Sequence, residues 1–407
     1  MYTIALILAG WAVAGTGHRE CTFGSKSFGK YQHLWDKGDS LKALALLLLS
    51  RNPKAGFYAA SHPGVLAVRR LSVAQQLPPG RGMNALSRCG IFCMSDMATA
   101  SWLGVKSPAA PKVSGQATAV DSSGRIFLFG GLTNGAGSPC TNEMWTFANG
   151  EWQQVETLNK GPGPRMYAAA GMLGNSMYVF GGWDPEAPGS GGTFKDEIWR
   201  LDLDKMEWSQ MEAIPFGPVS RHCACTVGSR IVVNTFRGVF TLEADGQVIE
   251  RASEGDAPVG LSMQACSPLG EDAMLIFGGA TKTQQMTADV WQLDTSSWKW
   301  TKLQVQGEPM PTPRGSSCAA PFGDDAILVF GGAGMGSDGY GSGKGLVPYN
   351  ETWLLRVGGD VATWNAVDTG ASAPTARVAA SLSPLPNGKA FLMQGGWDPK
   401  SGATFDE

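Results

Sequence analysis

The sequence predicts an all-β fold built from one four-stranded sheet repeated several times. Two observations carry this. Glycine supplies 55 of the 407 residues beside 14 tryptophans, a composition suited to many short strands joined by tight turns. Gly-Gly doublets also recur after short apolar runs, at Gly130-Gly131, Gly181-Gly182, Gly278-Gly279, Gly331-Gly332 and Gly395-Gly396.

The doublets are 51, 97, 53 and 64 positions apart. The gap of 97 holds a degenerate unit, Ile231 to Gly238, which has lost its doublet. Each unit reads as four strands. The first follows a turn and an arginine, at Arg165, Arg221, Arg314 and Arg377, with Pro111-Lys112 in that place in the first unit. The second is the apolar run ending in Gly-Gly. The third carries Trp145, Trp199, Phe240, Trp291 or Trp353, and the fourth Trp152, Trp208, Trp300 or Trp364. A sheet with two apolar faces is unstable alone. Stacking such sheets around an axis buries both faces and leaves only short edges, which is a β-propeller.

The order Arg, Gly-Gly, Trp, Trp over residues 102–407 resembles the Kelch-repeat family, whose repeat has a period near fifty. The resemblance implies a propeller of six or seven blades. Six Gly-Gly strands or equivalents favour six, with seven if the chain continues beyond Glu407. It also implies a protein-interaction scaffold or adaptor, binding a protein or peptide at one face, with no cofactor and no catalytic residue.

The ends read differently. Residues 1–95 lack the strand rhythm and read as an irregular, partly helical leader, with a helix near Ser40 to Arg51; residues 96–407 form the propeller. Gly396-Trp397-Asp398-Pro399 repeats Gly182-Trp183-Asp184-Pro185, but the chain stops before a third-strand tryptophan. The strand around Trp102 reads as the fourth strand of that last blade. Its third strand is either near Met94–Ala100 or lost by truncation, and truncation is the favoured reading.

Charge and composition exclude several functions. A formal net charge of -3 with 16% charged residues gives no basic surface for nucleic acid. The apolar run 4–14 is too short to span a membrane, and without a positive charge before it is a weak secretion signal. A cytoplasmic protein is expected, or a secreted one if residues 1–14 act as a signal.

The candidate binding residues are Arg165, Arg221, Arg314 and Arg377, which could ring one channel mouth and hold an acidic peptide. Trp183, Trp397 and Tyr340 lie in loops between second and third strands, where binding residues commonly sit on a rigid scaffold. The competing structural reading pairs the arginines with a neighbouring blade's carboxylates, near Glu143, Asp196-Glu197, Asp289, Glu351 and Asp406-Glu407, and packs the tryptophans under their own loops.

No metal site is expected. His222 faces away from Cys223 and Cys225 in an alternating strand, and no paired CxxC spacing is present. Copper oxidases on this scaffold need two histidine ligands with tyrosines, yet only His222 lies in the repeats. The Glu-x3-Asp-x3-Cys iron motif of the nitrile-specifier proteins, which share the fold, is absent. A specifier- or lyase-type activity, or carbohydrate binding by exposed tryptophans, is the alternative.

Overall fold

The computed structural model describes residues 89–94, 99–105, 107, 109–133, 138–187, 191–258, 260–336, 345–386 and 388–405. The apolar run 4–14, the helix expected near Ser40 to Arg51 and Tyr340 lie outside these described residues. The described residues form six sheets of four or five strands and two short ribbons. The first sheet holds Val113–Ser114 and Ala117–Val120, then Ile126–Thr133, Cys140–Ala148 and Glu151–Val155. The second holds Ala169–Leu173, Ser176–Phe180, Ile198–Asp202 and Glu207–Gln210. The third holds Cys223–Val227, Arg230–Asn234, Val239–Leu242 and Val248–Arg251. The fourth holds Ala265–Leu269, Ala273–Phe277, Val290–Asp294 and Lys299–Lys302. The fifth holds Cys318–Pro321, Ala326–Phe330, Thr352–Gly358 and Val361–Ala366, with Gln304–Gln306 added in parallel outside the last.

Burial follows strand position. Second strands such as Ser176–Phe180, Ala273–Phe277 and Ala326–Phe330 are buried at every residue, because each is covered by a neighbouring sheet on both faces. Fourth strands bury only alternate residues, as in Glu207–Gln210, where Trp208 is inside and its neighbours are out. That tryptophan sits against the phenylalanine preceding the Gly-Gly doublet of the sheet before it. Phe129 meets Trp208 at 5.5 Å between ring centroids, Phe277 meets Trp364 at 4.8 Å, and Phe330 meets Trp102 at 5.0 Å, each edge to face. Such pairs add about 0.5–1.5 kcal/mol to the area they bury.

The sixth sheet closes the ring. Val378–Pro384 and Ala390–Trp397 supply its inner strands, and Cys89–Met94 and Ala100–Val105 its outer ones. Cys89–Met94 pairs antiparallel with Ala390–Trp397, so Cys93 lies opposite Ala390. The third strand that the sequence places near Met94–Ala100 or counts as lost is therefore Cys89–Met94. The propeller begins inside the stretch 1–95 that the sequence assigns to a leader.

A circle of main-chain hydrogen bonds fixes the register of all six sheets. The Tyr167 amide donates to the Gly115 carbonyl at 2.7 Å, Arg221 to Tyr167 at 3.1 Å, and Met263 to Arg221 at 2.8 Å. Ser316 then donates to Met263 at 2.8 Å, Ala379 to Ser316 at 3.0 Å, and Gly115 to Ala379 at 2.9 Å, which returns to the start. All six residues have φ between 53° and 63°, a conformation disfavoured for residues with a Cβ and held only by surrounding structure. These residues are one equivalent position in six successive sheets.

Candidate functional site at the loop-bearing mouth

The girdle shows what each arginine is. Two residues before it, the equivalent positions are Val113, Arg165, Val219, Leu261, Arg314 and Arg377, all buried. Arg221 is on the girdle itself, equivalent to Tyr167 and not to Arg165. The four arginines are thus not one repeated position. The sequence pattern misplaces Arg221 by two residues, and Pro111-Lys112 falls ahead of the true equivalent, Val113.

Arg165, Arg314 and Arg377 are scaffold. Arg165 donates to the carbonyls of Gly163 at 3.0 Å and Gly181 at 2.9 Å, and to Glu197 Oε2 at 2.6 Å. Arg314 repeats this on Thr312, Gly331 and Glu351; Arg377 bonds Thr375 and Gly395. The carboxylates belong to the arginine's own sheet, not to a neighbour's. The link between sheets is made by the backbone. The second glycine of the preceding doublet donates to the arginine carbonyl, Gly131 to Arg165 at 2.8 Å and Gly279 to Arg314 at 2.8 Å. The first glycine has no room for a Cβ, which at Gly278 would lie 2.4 Å from the Arg314 carbonyl oxygen. The doublets and arginines therefore recur for one reason.

Glu197 and Glu351 also accept from the indoles of Trp199 and Trp353, two residues on, at 2.9 and 3.0 Å. Partial burial works to raise the Glu197 carboxyl, but the hydrogen bonds from Arg165 and Trp199 and the charge of Arg165 outweigh it and hold it below the usual carboxylate range.

The structure brings Arg221, Trp183 and Trp397 together around Tyr167. The Arg221 guanidinium lies 4.7 Å from the Tyr167 ring centroid and 5.1 Å from that of Trp183. Burial pushes the Tyr167 hydroxyl above the usual phenol range, and the Arg221 charge and the Trp397 side chain oppose this without cancelling it. Trp183 is half-buried, donates its indole N–H to the Gly191 carbonyl at 2.9 Å and stacks on Phe194. It packs under its own loop, as the structural reading expected.

Strand direction places the loops between second and third strands, and those between sheets, at the same end as this cluster. Among the described residues, four of the six exposed large hydrophobic residues are at this end: Phe194, Phe236, Met310 and Val347. The exceptions are Leu103, on Ala100–Val105, and Leu158, whose amide donates to the Met206 carbonyl at 2.7 Å, in a turn between third and fourth strands. Among the described residues, the turns at the other end contain none of them. The sequence does not show this asymmetry, because exposure is decided by packing between distant sheets.

His222 follows Arg221 and is 8% exposed. Burial lowers its pKa to about 4 from 6.5, with a main-chain contact to Phe180 opposing. The unfolded chain binds the proton near 6.5 and the folded chain does not until about 4. Stability therefore falls as pH drops through that window, by about 3 kcal/mol in all. His222→Leu is expected to abolish this part of the acid sensitivity in denaturant unfolding compared at about pH 7.5 and about pH 4.

Cys223, equivalent to Ala169, Ala265, Cys318 and Ser381 in the girdle register, fills a slot for small residues. Burial pushes the Cys223 thiol well above its usual range and Cys318 up to about 12, which removes thiolate character. Among the described residues no group of three or more His, Cys, Asp or Glu is placed to hold a metal ion, and no helix is long and apolar enough to cross a membrane.

Known proteins resemble this chain in sequence and in fold. The chain is 26% identical over 181 residues to Kelch domain-containing protein 2 of Bos taurus, covering 44% of this chain and 33% of that protein. It is 26% identical over 251 residues to Kelch domain-containing protein 3 of Bos taurus, covering 56% and 64%. Acyl-CoA-binding domain-containing protein 4 of Arabidopsis thaliana is 26% identical over 194 residues, covering 44% and 28%. The match spans less than two thirds of each of these relatives. The solved structure of YjhT superimposes with a TM-score of 0.55 over 74% of this chain and 94% of that one, at 15% identity, a likeness of fold. The Kelch-repeats domain family described for KLHDC2, KLHL20 and DRC7 matches residues 80–242 and 234–406, and with the six-sheet ring this makes the chain a member of that family.

Proposed function

We propose that this chain is a non-enzymatic binding module that docks a protein or peptide on its loop-bearing face. The observation that carries the reading is the exposure of Phe194, Phe236, Met310 and Val347 at this end. Apolar side chains gathered on one face, around a half-buried arginine and aromatic cluster, suit a protein interface, where aromatic residues and arginine supply much of the binding energy. A cytoplasmic setting goes with this reading, on the count and spacing of the cysteines.

The test is selection of displayed protein fragments on the immobilised full chain, followed by the triple substitution Phe194→Ser, Phe236→Ser and Val347→Ser. All three side chains are exposed, so the melting temperature is expected to stay within a few degrees. Affinity for selected fragments is expected to fall at least tenfold, about 1.4 kcal/mol. Undiminished binding by the triple variant would remove this face as the docking surface.

A further inference from the structure

The first strands of neighbouring sheets run side by side from the girdle, and three side chains meet where they touch. They are the second and fourth residues after the girdle residue of one sheet, and the third after that of the next. Between the first and second sheets these are Ala117, Ala119 and Ala170, packed in one apolar cluster. Between the third and fourth sheets they are Cys223, Cys225 and Cys266, again in one cluster. A slot that asks only for small residues is filled here by three thiols.

Cys266 is the middle member. Its thiol is in hydrogen-bonding contact with those of both Cys223 and Cys225, and all three are free. The two strands are held in this register by the Met263 amide on the Arg221 carbonyl at 2.8 Å, just ahead of the cysteines. The trio is not placed to hold a metal ion, which leaves covalent chemistry between the sulfurs. The same seam departs from the usual fastening between sheets. Gly131, Gly182, Gly279 and Gly332 each donate to a carbonyl of the next sheet, at 2.8, 2.9, 2.8 and 3.0 Å. The third sheet has Phe236 in place of that second glycine, and there the Phe236 carbonyl accepts from Gly260 at 3.1 Å.

We infer that this seam is a site of reversible oxidation, at which Cys266 forms a disulfide with Cys223 or Cys225 and ties the third sheet to the fourth.

Hydrogen peroxide is an oxidant that balances the step. One thiol takes an oxygen from the peroxide, whose O–O bond breaks, giving a sulfenic acid and one water. A second thiol attacks the sulfenic sulfur, the S–S bond forms, and the oxygen leaves as a second water. Two thiols thus lose two hydrogens and two electrons to one peroxide. Cys266 is only partly buried, while Cys223 and Cys225 are buried, so Cys266 is the thiol the peroxide meets first. The remaining cysteine then exchanges with the new bond, moving it between Cys223 and Cys225 with Cys266 as the shared partner. Burial and the Cys266 contact push the Cys223 thiol up; at Cys266 the Cys223 contact works downward, but the Cys225 contact and burial outweigh it. Little thiolate forms, so the oxidation runs over hours and not seconds. A transient disulfide of this kind is compatible with a reducing compartment.

The experiment treats the full chain with hydrogen peroxide, blocks the remaining thiols under denaturing conditions, and maps tryptic peptides without reduction. The peptide His222–Arg230 is expected joined to Ala252–Lys282. The bond closes a loop of about forty residues, so the oxidised chain is expected to melt several degrees higher, reversed by dithiothreitol. Cys266→Ala is expected to fold normally, because Ala170, Ala224 and Ala319 hold the equivalent position in other sheets. It should give neither the joined peptides nor the rise in melting temperature. Cys223→Ala and Cys225→Ala should each still give both. The peptide map of the unaltered sequence stands whatever the variants do. Absence of the joined pair, a bond from Cys223 to Cys225 within one peptide, or linkage confined to other cysteines overturns the inference. A joined pair with an unchanged melting temperature overturns the tie between sheets.

Discussion

A chain shortened to begin at Lys106 is expected to lose its cooperative unfolding transition and to precipitate. It lacks Cys89–Met94 and Ala100–Val105, the outer half of the sixth sheet. The edge of Ala390–Trp397 would lie open from Ala390 to Met393, and an open apolar edge pairs with other chains. The core is affected as well. Trp102 is 5% exposed, packs edge to face on Phe330, and donates its indole N–H to Thr352 Oγ1 at 3.3 Å. Trp102→Ala in the full chain isolates that part and is expected to cost about 3–5 kcal/mol, read as a lowered denaturant midpoint. A shortened chain that unfolds as sharply as the full one would mean that the two strands do not close the ring.

Arg165→Met is expected to destabilise the fold by about 3 kcal/mol, while Arg221→Met costs well under about 1 kcal/mol. The two arginines look alike in sequence but differ in what they leave behind. Removing the Arg165 guanidinium strands the buried Gly181 carbonyl and leaves Glu197, whose side chain is only 29% exposed, without its cation. Removing the Arg221 guanidinium breaks stacking on two rings and no ion pair among the described residues. Arg165→Lys is expected to fall close to Arg165→Met, because one ammonium cannot reach Gly163, Gly181 and Glu197 together in the fork that Arg165 uses. Denaturant unfolding of the three variants checks the order. A neutral Arg165→Met would remove the scaffold role assigned to this position.

The repeat was legible because one physical need writes the same residues each time. Glycine recurs where a Cβ would strike the next sheet's main chain, arginine where a guanidinium must satisfy a glycine carbonyl, and tryptophan where a fourth strand covers a phenylalanine of the sheet before it. What was not legible lacks such a repeated need. Cys89–Met94 has no doublet or tryptophan, and its partner lies about three hundred residues away. Arg221 sits after a turn, as Arg165 does, and only the girdle hydrogen bonds show that it is two residues further along. The candidate tryptophans were half legible. Their position after Gly-Gly was visible, but the packing of Trp183 under Arg221 and Phe194 depends on two separate loops. The exposed apolar face had no sequence signal, since Phe236 and Val347 look no different there from buried neighbours.

The measurement that tests the binding reading most directly is hydrogen exchange of the full chain with and without its selected segment. Slowed exchange is expected in Trp183 to Glu197, Thr235 to Gly238, Ala280 to Asp289 and Ala333 to Met335, all at the loop-bearing mouth. Protection confined to the opposite turns, at Gly228-Ser229, Gly270 to Asp272 and Thr295 to Trp298, would contradict the account.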